Sequence, residues 1–198
     1  MHWRYLLSDL RWSAAHRLRR LRFFWYTADR AAWLFVAFFA TVVTLLLFGF
    51  QAAIGLQDER RERERQRQAK DLACLARNVY FEARGEPLAG QYAVAEVTMN
   101  RRASRHFPRT VCDVVYQKNW DPLRGRYVSA FSWTEFTALT EPEGETWERA
   151  RRVAEAVYYQ KYTPQLRGAL FFHATYIQPE WAKEKRRIAQ IGRHVFYR

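Results

Sequence analysis

Between Arg30 and Asp58 the chain runs for 27 residues, from Ala31 to Gln57, without a formal charge, with its densest apolar stretch from Trp33 to Phe50. Crossing the hydrocarbon core of a bilayer takes roughly 20 apolar residues at the helical rise, so this run is long enough to span. A secretory signal peptide has an apolar region of only about 7 to 15 residues before a small-residue cleavage site. The one candidate site here, Ala52 with Ala53, is weak. The reading is an uncleaved transmembrane anchor over 31–57, ahead of a cleaved signal and far ahead of a buried soluble helix.

Charge gives the orientation. Residues 1–30 hold seven Lys or Arg against two acidic residues, with a cluster at Arg17, Arg19, Arg20 and Arg22. Basic residues beside a span stay on the cytoplasmic side, so residues 1–30 are expected inside and the C-terminal part in the periplasm, on the far side of an inner membrane. Trp25 and Tyr26, just before the run, suit the headgroup level. Residues 58–70, DERRERERQRQAK, alternate sign and lack any apolar residue larger than Ala69. They read as a charged stalk, a solvated helix or an extended spacer, and without apolar a and d positions they are not a coiled coil.

This distribution also weakens a nucleic-acid reading of the overall charge of +13, because about half of the excess lies outside residues 71–198. The +6 that remains suits an anionic polymer such as cell wall, or a generically solvated basic face. A 49% hydrophobic and 17% aromatic composition supplies a core and argues against disorder. The length leaves room for one ordinary domain, 71–198.

Within it, Leu72, Leu75 and Val79 recur at helical spacing, with Asp71 available as N-cap and Gly85 and Pro87 near the end. A second helix follows Pro87 through QYAVAEVTMNRR, with Gly90, Ala93, Val97 and Asn100 on one face. Thr110 and Asp113 form a capping box for a short third helix, TVCDVVYQ. Lys118 to Glu145 reads mostly as a functional loop with a short strand, and a fourth helix starts at Thr146. GALFFHAT, RIAQI and HVFYR read as strands, with a tight hairpin at Gly192. The class is α+β, mostly helical, with a small β-hairpin.

Glu82 is the most informative residue. It extends the stripe of Leu72, Leu75 and Val79, so a carboxylate stands where periodicity calls for an apolar side chain. Burial raises a carboxyl pKa, and a carboxyl still protonated near neutrality can give its proton to a leaving group. The same pattern also suits an ion-pair network at a helix end, with Arg84, Arg77 or the surroundings of Glu86 as partner.

Ordered blocks CLARNVYFEARGEPLAGQYAVAEVTMNR, FPRTVCDVVYQ, FSW, GALFFHATYIQPEW and IGRHVFY resemble the bacterial cell wall hydrolase family of spore cortex-lytic enzymes. The resemblance covers nearly all of 72–198. It implies a lysozyme-like fold that cuts the glycan strands of peptidoglycan between N-acetylmuramic acid and N-acetylglucosamine, as a lytic transglycosylase that needs no metal or other cofactor. The motif glutamate, general acid and base, falls on Glu82.

Ordinary glycosidases need two carboxylates. Glu86, Glu96, Asp113 and Asp121 are the candidates for a second, and none stands in a comparable context. A lytic transglycosylase needs one. The alternatives are a muramidase with a second carboxylate and an inactive wall-binding or scaffold module of the same fold. Gln91, Asn100, Ser132, Trp133, His173, Tyr176 and Trp181 are candidate substrate-binding residues, each with packing as the bland alternative. His106, His173 and His194 lack the close spacing of familiar zinc sites, so no metal is expected. Cys74 and Cys112, the two cysteines, are read as a disulfide permitted by an oxidising compartment, with two buried thiols as the alternative. Expected partners are peptidoglycan strands and the inner membrane.

Overall fold

The computed structural model describes residues 19, 22, 30–122, 124–136 and 138–198. It divides into two compact units, Met1–Arg61 and Glu62–Arg198. Most of the basic N-terminus, with Arg17, Arg20, Trp25 and Tyr26, lies outside the described residues.

In the first unit the described backbone is helical from Arg30 onward, part of α1 (Arg30–Ala83). Its apolar side chains face outward on every side: Leu34, Phe35 and Phe48 are each at least two-thirds exposed. A helix apolar all round has no face to keep in water and matches a lipid environment. Two hydroxyls in the run are satisfied within the helix, Thr41 donating to the Ala37 carbonyl and Thr44 to the Ala40 carbonyl, both at 2.8 Å. The helix itself thus satisfies both donors. Among the described residues this is the one helix long and apolar enough to cross a membrane.

The second unit begins in the charged segment, which is helical and exposed, with Gln66 and Gln68 donating to Glu62 and Glu64 one turn earlier. Asp71 was the expected N-cap of a new helix, but α1 continues through it. Its buried carboxylate instead accepts the backbone N–H groups of Val111 (3.0 Å) and Cys112 (3.4 Å), so it caps α3 (Val111–Val115) from 40 residues away. Thr110 supplies the local half of that cap, its hydroxyl oxygen accepting from the Asp113 N–H at 3.1 Å. The Cys74–Cys112 disulfide, with Cα atoms 5.2 Å apart, bonds the same two elements.

Helix α2 (Leu88–Ala103) is the central element, buried almost continuously from Gly90 to Thr98. Leu75 and Val79 of α1 and Val153 and Val157 of α4 (Gly144–Tyr158) belong to the main core with Ala95 of α2. A second cluster joins Ala93 and Val97 of α2 to Leu166 and Phe196. Helix α4 starts at Gly144, two residues before the expected Thr146, with Gly144 at φ +76 where a side chain would be strained.

Lys118–Glu145 departs from the expected loop. It opens with an antiparallel hairpin, β1 (Lys118–Asp121) and β2 (Arg126–Ser129), followed by a single 3₁₀ turn at Ser132–Glu135. The remaining strands, β3 (Phe171–Ala174), β4 (Arg187–Ile191) and β5 (His194–Tyr197), form an antiparallel sheet in the order β3-β5-β4, with β5 buried throughout. The β4–β5 turn is at Gly192, φ +57, as the sequence suggests. The architecture is therefore α+β, mostly helical, with two small sheets.

Candidate active site

Glu82 stands on the last turn of α1. Leu75 and Val79, on the same stripe, are fully buried. One turn before Glu82, Asn78 is also fully buried, and both ends of its amide are used: Nδ2 donates to Thr98 Oγ1 at 3.0 Å and Oδ1 accepts from Trp133 Nε1 at 2.9 Å. The Thr98 hydroxyl in turn donates a hydrogen bond to the Val94 carbonyl. A saturated buried amide of this kind fixes α1, α2 and the 3₁₀ turn relative to one another. The Trp133 indole stacks on Phe81 at 4.7 Å between centroids, so a wall of aromatic carbon lies beside the glutamate.

Burial pushes the Glu82 carboxyl up to a pKa of about 7, and the positive charge of Arg101 offsets only part of that rise. Among the described residues no hydrogen bond to the carboxylate contributes. Arg77 and Arg84, two of the expected ion-pair partners, bond elsewhere: Arg77 pairs with Glu141 at 2.7 Å, and Arg84 donates to the Tyr80 hydroxyl at 3.1 Å, so the cation that acts on Glu82 is Arg101. Arg101 is buried, its Nε donating to the Leu170 carbonyl at 2.7 Å and its guanidinium lying over the rings of Phe131 (5.0 Å) and Phe107 (5.4 Å). Burial lowers its pKa to about 10, with the Glu82 charge opposing, so it remains a cation at neutral pH. A carboxyl poised near pH 7 beside a fixed cation exists as acid and as base in similar amounts, which suits it to giving and then taking a proton.

Three of the four other candidate carboxylates are engaged elsewhere, and the fourth stands in solvent. Glu86 accepts from the Arg193 backbone N–H at 2.8 Å and from Arg193 Nε at 2.7 Å. Burial raises its carboxyl, but these two hydrogen bonds, with the charges of His194 and Arg193, outweigh burial and hold its pKa below the usual value. Gly192 makes this approach possible, since a Cβ there would collide with Glu86 and Pro87. Glu96 accepts the backbone N–H groups of Gln165 (3.0 Å) and Leu166 (2.8 Å) and binds the loop after α4. Asp113 is exposed on α3, and Asp121 accepts from Arg124 in the turn of the β1–β2 hairpin.

The predicted substrate-binding residues separate into groups. Gln91 is buried and donates to the Glu86 carbonyl at 3.1 Å; Asn100 donates to the carbonyls of Leu166 and Ala169 at 3.0 and 3.1 Å. Both amides serve packing around α2. Trp133 is buried beside Asn78, while Ser132, its neighbour, is exposed. His173 is buried, with Nδ1 against the Ala174 carbonyl and Nε2 against the Tyr197 hydroxyl, both at 2.9 Å. Trp181 packs edge-on against His173 and Tyr197. Tyr176, 84% exposed, lines with His173 a cleft of about 470 Å³ that also takes in Gln178, Lys183 and Arg187. Sequence reasoning missed Arg101, Asn78 and Thr98. The first had a usable signal: Val94, Val97, Thr98 and Arg101 follow the i, i+3, i+4, i+7 pattern of one buried helix face.

Comparison with known proteins agrees with the sequence blocks. The spore cortex-lytic enzyme of Oceanobacillus iheyensis is 33% identical over 129 residues, 64% of this chain and 41% of the relative. That of Bacillus subtilis is 32% identical over 129 residues, 64% of this chain and 37% of the relative. The chain thus spans about two-fifths of the length of the curated relatives it matches. Among solved structures, the catalytic domain of the germination-specific lytic transglycosylase SleB from Bacillus anthracis is 28% identical, with a TM-score of 0.47, covering 65% of this chain and 93% of that one. The catalytic domain of Bacillus cereus SleB is 30% identical, with a TM-score of 0.48, covering 65% and 89%. A family model described as Cell Wall Hydrolase matches residues 85–197, beginning three residues after Glu82. More than half of the sequence falls within that match, and the chain belongs to the cell wall hydrolase family.

Proposed function

We propose that this chain is a single-pass, membrane-anchored enzyme that cuts the glycan strands of peptidoglycan as a lytic transglycosylase, with Glu82 as its one catalytic carboxyl. The carrying observation is the Glu82 carboxyl itself, raised by burial to a pKa of about 7 while Glu86 and Glu96 are locked in structural hydrogen bonds. The names of its relatives, spore cortex-lytic enzymes, and of a lytic transglycosylase among the similar solved structures support the substrate and reaction type.

In the first step Glu82 gives its proton to the glycosidic oxygen as the bond from that oxygen to the muramic acid anomeric carbon breaks. The muramic acid 6-hydroxyl oxygen then bonds to that carbon, and its proton passes to the Glu82 carboxylate. No water is consumed, the acid is regenerated, and the product carries a 1,6-anhydro ring. The fixed Arg101 cation limits the cost of the carboxylate between the two steps.

The exposed apolar part of α1, with the basic residues before it, supports an inner-membrane anchor whose N-terminus is cytoplasmic and whose enzymatic domain stands in the periplasm, carried on the charged segment 58–70. Mass spectrometry of fragments released from purified sacculi is the test. Wild type should yield 1,6-anhydro-muramic ends and Glu82→Gln none; free reducing muramic ends would instead identify a muramidase, and no release at all would leave a binding module.

A further inference from the structure

The β1–β2 hairpin exposes two aromatic rings that the fold leaves uncovered. Trp120 and Tyr127 are directly opposed across the antiparallel pair, so both side chains emerge from the same face, 5.3 Å apart between centroids. They are 57% and 64% exposed. A two-stranded sheet has no second layer to bury them, and large exposed apolar surface at a defined place commonly marks a site of interaction.

The position of the hairpin singles it out. Tyr116, just before β1, packs against Trp133 at 5.8 Å, and Ser132–Glu135, just after β2, places Trp133 against Phe81 and Asn78. Phe131 lies under the Arg101 guanidinium whose charge reaches Glu82. Both ends of the hairpin are thus rooted in the wall around Glu82. Its base is fastened there, with the Ala130 N–H donating to the Gln117 carbonyl at 2.8 Å and the Ser129 N–H to Glu135 Oε1 at 2.8 Å. Trp120 is the third residue of β1, which leaves this base at Lys118.

We propose that this hairpin is a glycan platform, with Trp120 and Tyr127 stacking on sugar rings of the strand being cut, at positions beyond the scissile bond. The claim rests on the function proposed above and extends it to how long strands are preferred over short ones. Among the described residues of the hairpin, the exposed large apolar side chains are these two flat rings, and alternation puts the exposed, cationic Lys118 on the same face. A flat ring offers a sugar its electron-rich face against the C–H groups of the pyranose while adjacent polar groups meet hydroxyls and carboxylates. An apolar wedge for lipid has no use for that interleaving.

The experiment uses the full chain in detergent micelles. In a Glu82→Gln background, which separates binding from turnover, Trp120→Ala with Tyr127→Ala should weaken binding to purified uncrosslinked glycan strands at least tenfold, and Trp120→Phe with Tyr127→Phe should restore most of it. With Glu82 intact, the double alanine variant should lose at least tenfold more kcat/KM on long strands than on a tetrasaccharide. Equal strand binding by the folded double alanine variant and its parent would overturn the proposal, as would a parent that binds no strand. So would quenching of Trp120 emission, taken as parent minus Trp120→Phe, in vesicles of brominated phosphatidylglycerol, because the hairpin would then be a lipid-facing element. Absence of cleavage with strand binding intact would refute the enzyme reading and leave the platform standing.

Discussion

Replacing Glu82 with glutamine should make this protein more stable at alkaline pH while lowering its activity by a factor of roughly 10² to 10⁴. The folded-state pKa of about 7 stands above the unfolded value of 4.5, so between those limits the unfolded chain has released a proton that the folded chain still holds. Stability therefore falls as pH rises. The contribution is fully present below pH 4.5 and is lost as pH passes through 7. At about 1.4 kcal/mol for each pH unit between 4.5 and 7, the penalty for holding an ionised Glu82 comes to about 3 kcal/mol. Arg101 stays charged across this window and its attraction is already contained in the value. Glutamine has nearly the same shape and cannot ionise. Wild type and variant should thus unfold together near pH 4 and separate progressively, with the variant ahead by about 3 kcal/mol at pH 9, roughly 10 °C in Tm for a domain of this size. Near-ultraviolet circular dichroism of the full chain in detergent, heated at a series of pH values, measures the separation. A difference that does not change with pH, or a variant less stable than wild type at pH 9, would refute the argument that burial governs this carboxyl.

Four further outcomes follow from other contacts. The kcat/KM for glycan cleavage should decline above pH 7 as Glu82 loses its proton, and Glu82→Gln should cost roughly 10² to 10⁴ in rate, read from fragment release. Asn78→Ala leaves the buried Trp133 indole N–H without its acceptor and should cost about 1–3 kcal/mol in urea unfolding, whereas an exposed change such as Ser132→Ala should move the midpoint little. Removing the Cys74–Cys112 bond, which closes a loop of 38 residues, should cost about 4 kcal/mol in a double alanine variant. Gly192→Ala should destabilise markedly more than Gly125→Ala: both glycines have positive φ, but only at Gly192 does a Cβ meet Glu86, and thermal unfolding of the two variants compares them directly.

Much of this was legible from the sequence because single residues reported local physics. The uncharged run, the helices on either side of Gly85–Pro87 and the Gly192 turn each have a period or a punctuation mark that acts over a few positions. Glu82 stood out because a carboxylate interrupted an apolar stripe. Asp71 misled for the converse reason: it has the chemistry of a cap, but the helix it caps lies 40 residues further on, and no local pattern encodes that distance. The β1–β2 hairpin was hidden because both its faces are largely exposed, so its strands lack the alternation that burial imposes. Arg101 was hidden by its charge. It occupies a buried position on α2, where it is tolerated because aromatic rings and the Leu170 carbonyl replace water around it.

The bond between Glu86 and Arg193 spans 107 positions, and it holds the turn that follows Glu82. The side-chain clasp on that turn cannot form until the β4–β5 segment has been made. Few contacts demand a longer wait, and loop closure of this reach belongs to the slow part of assembly. A chain that stops short of residue 193 leaves the Glu86 carboxylate, four residues after Glu82, without this clasp.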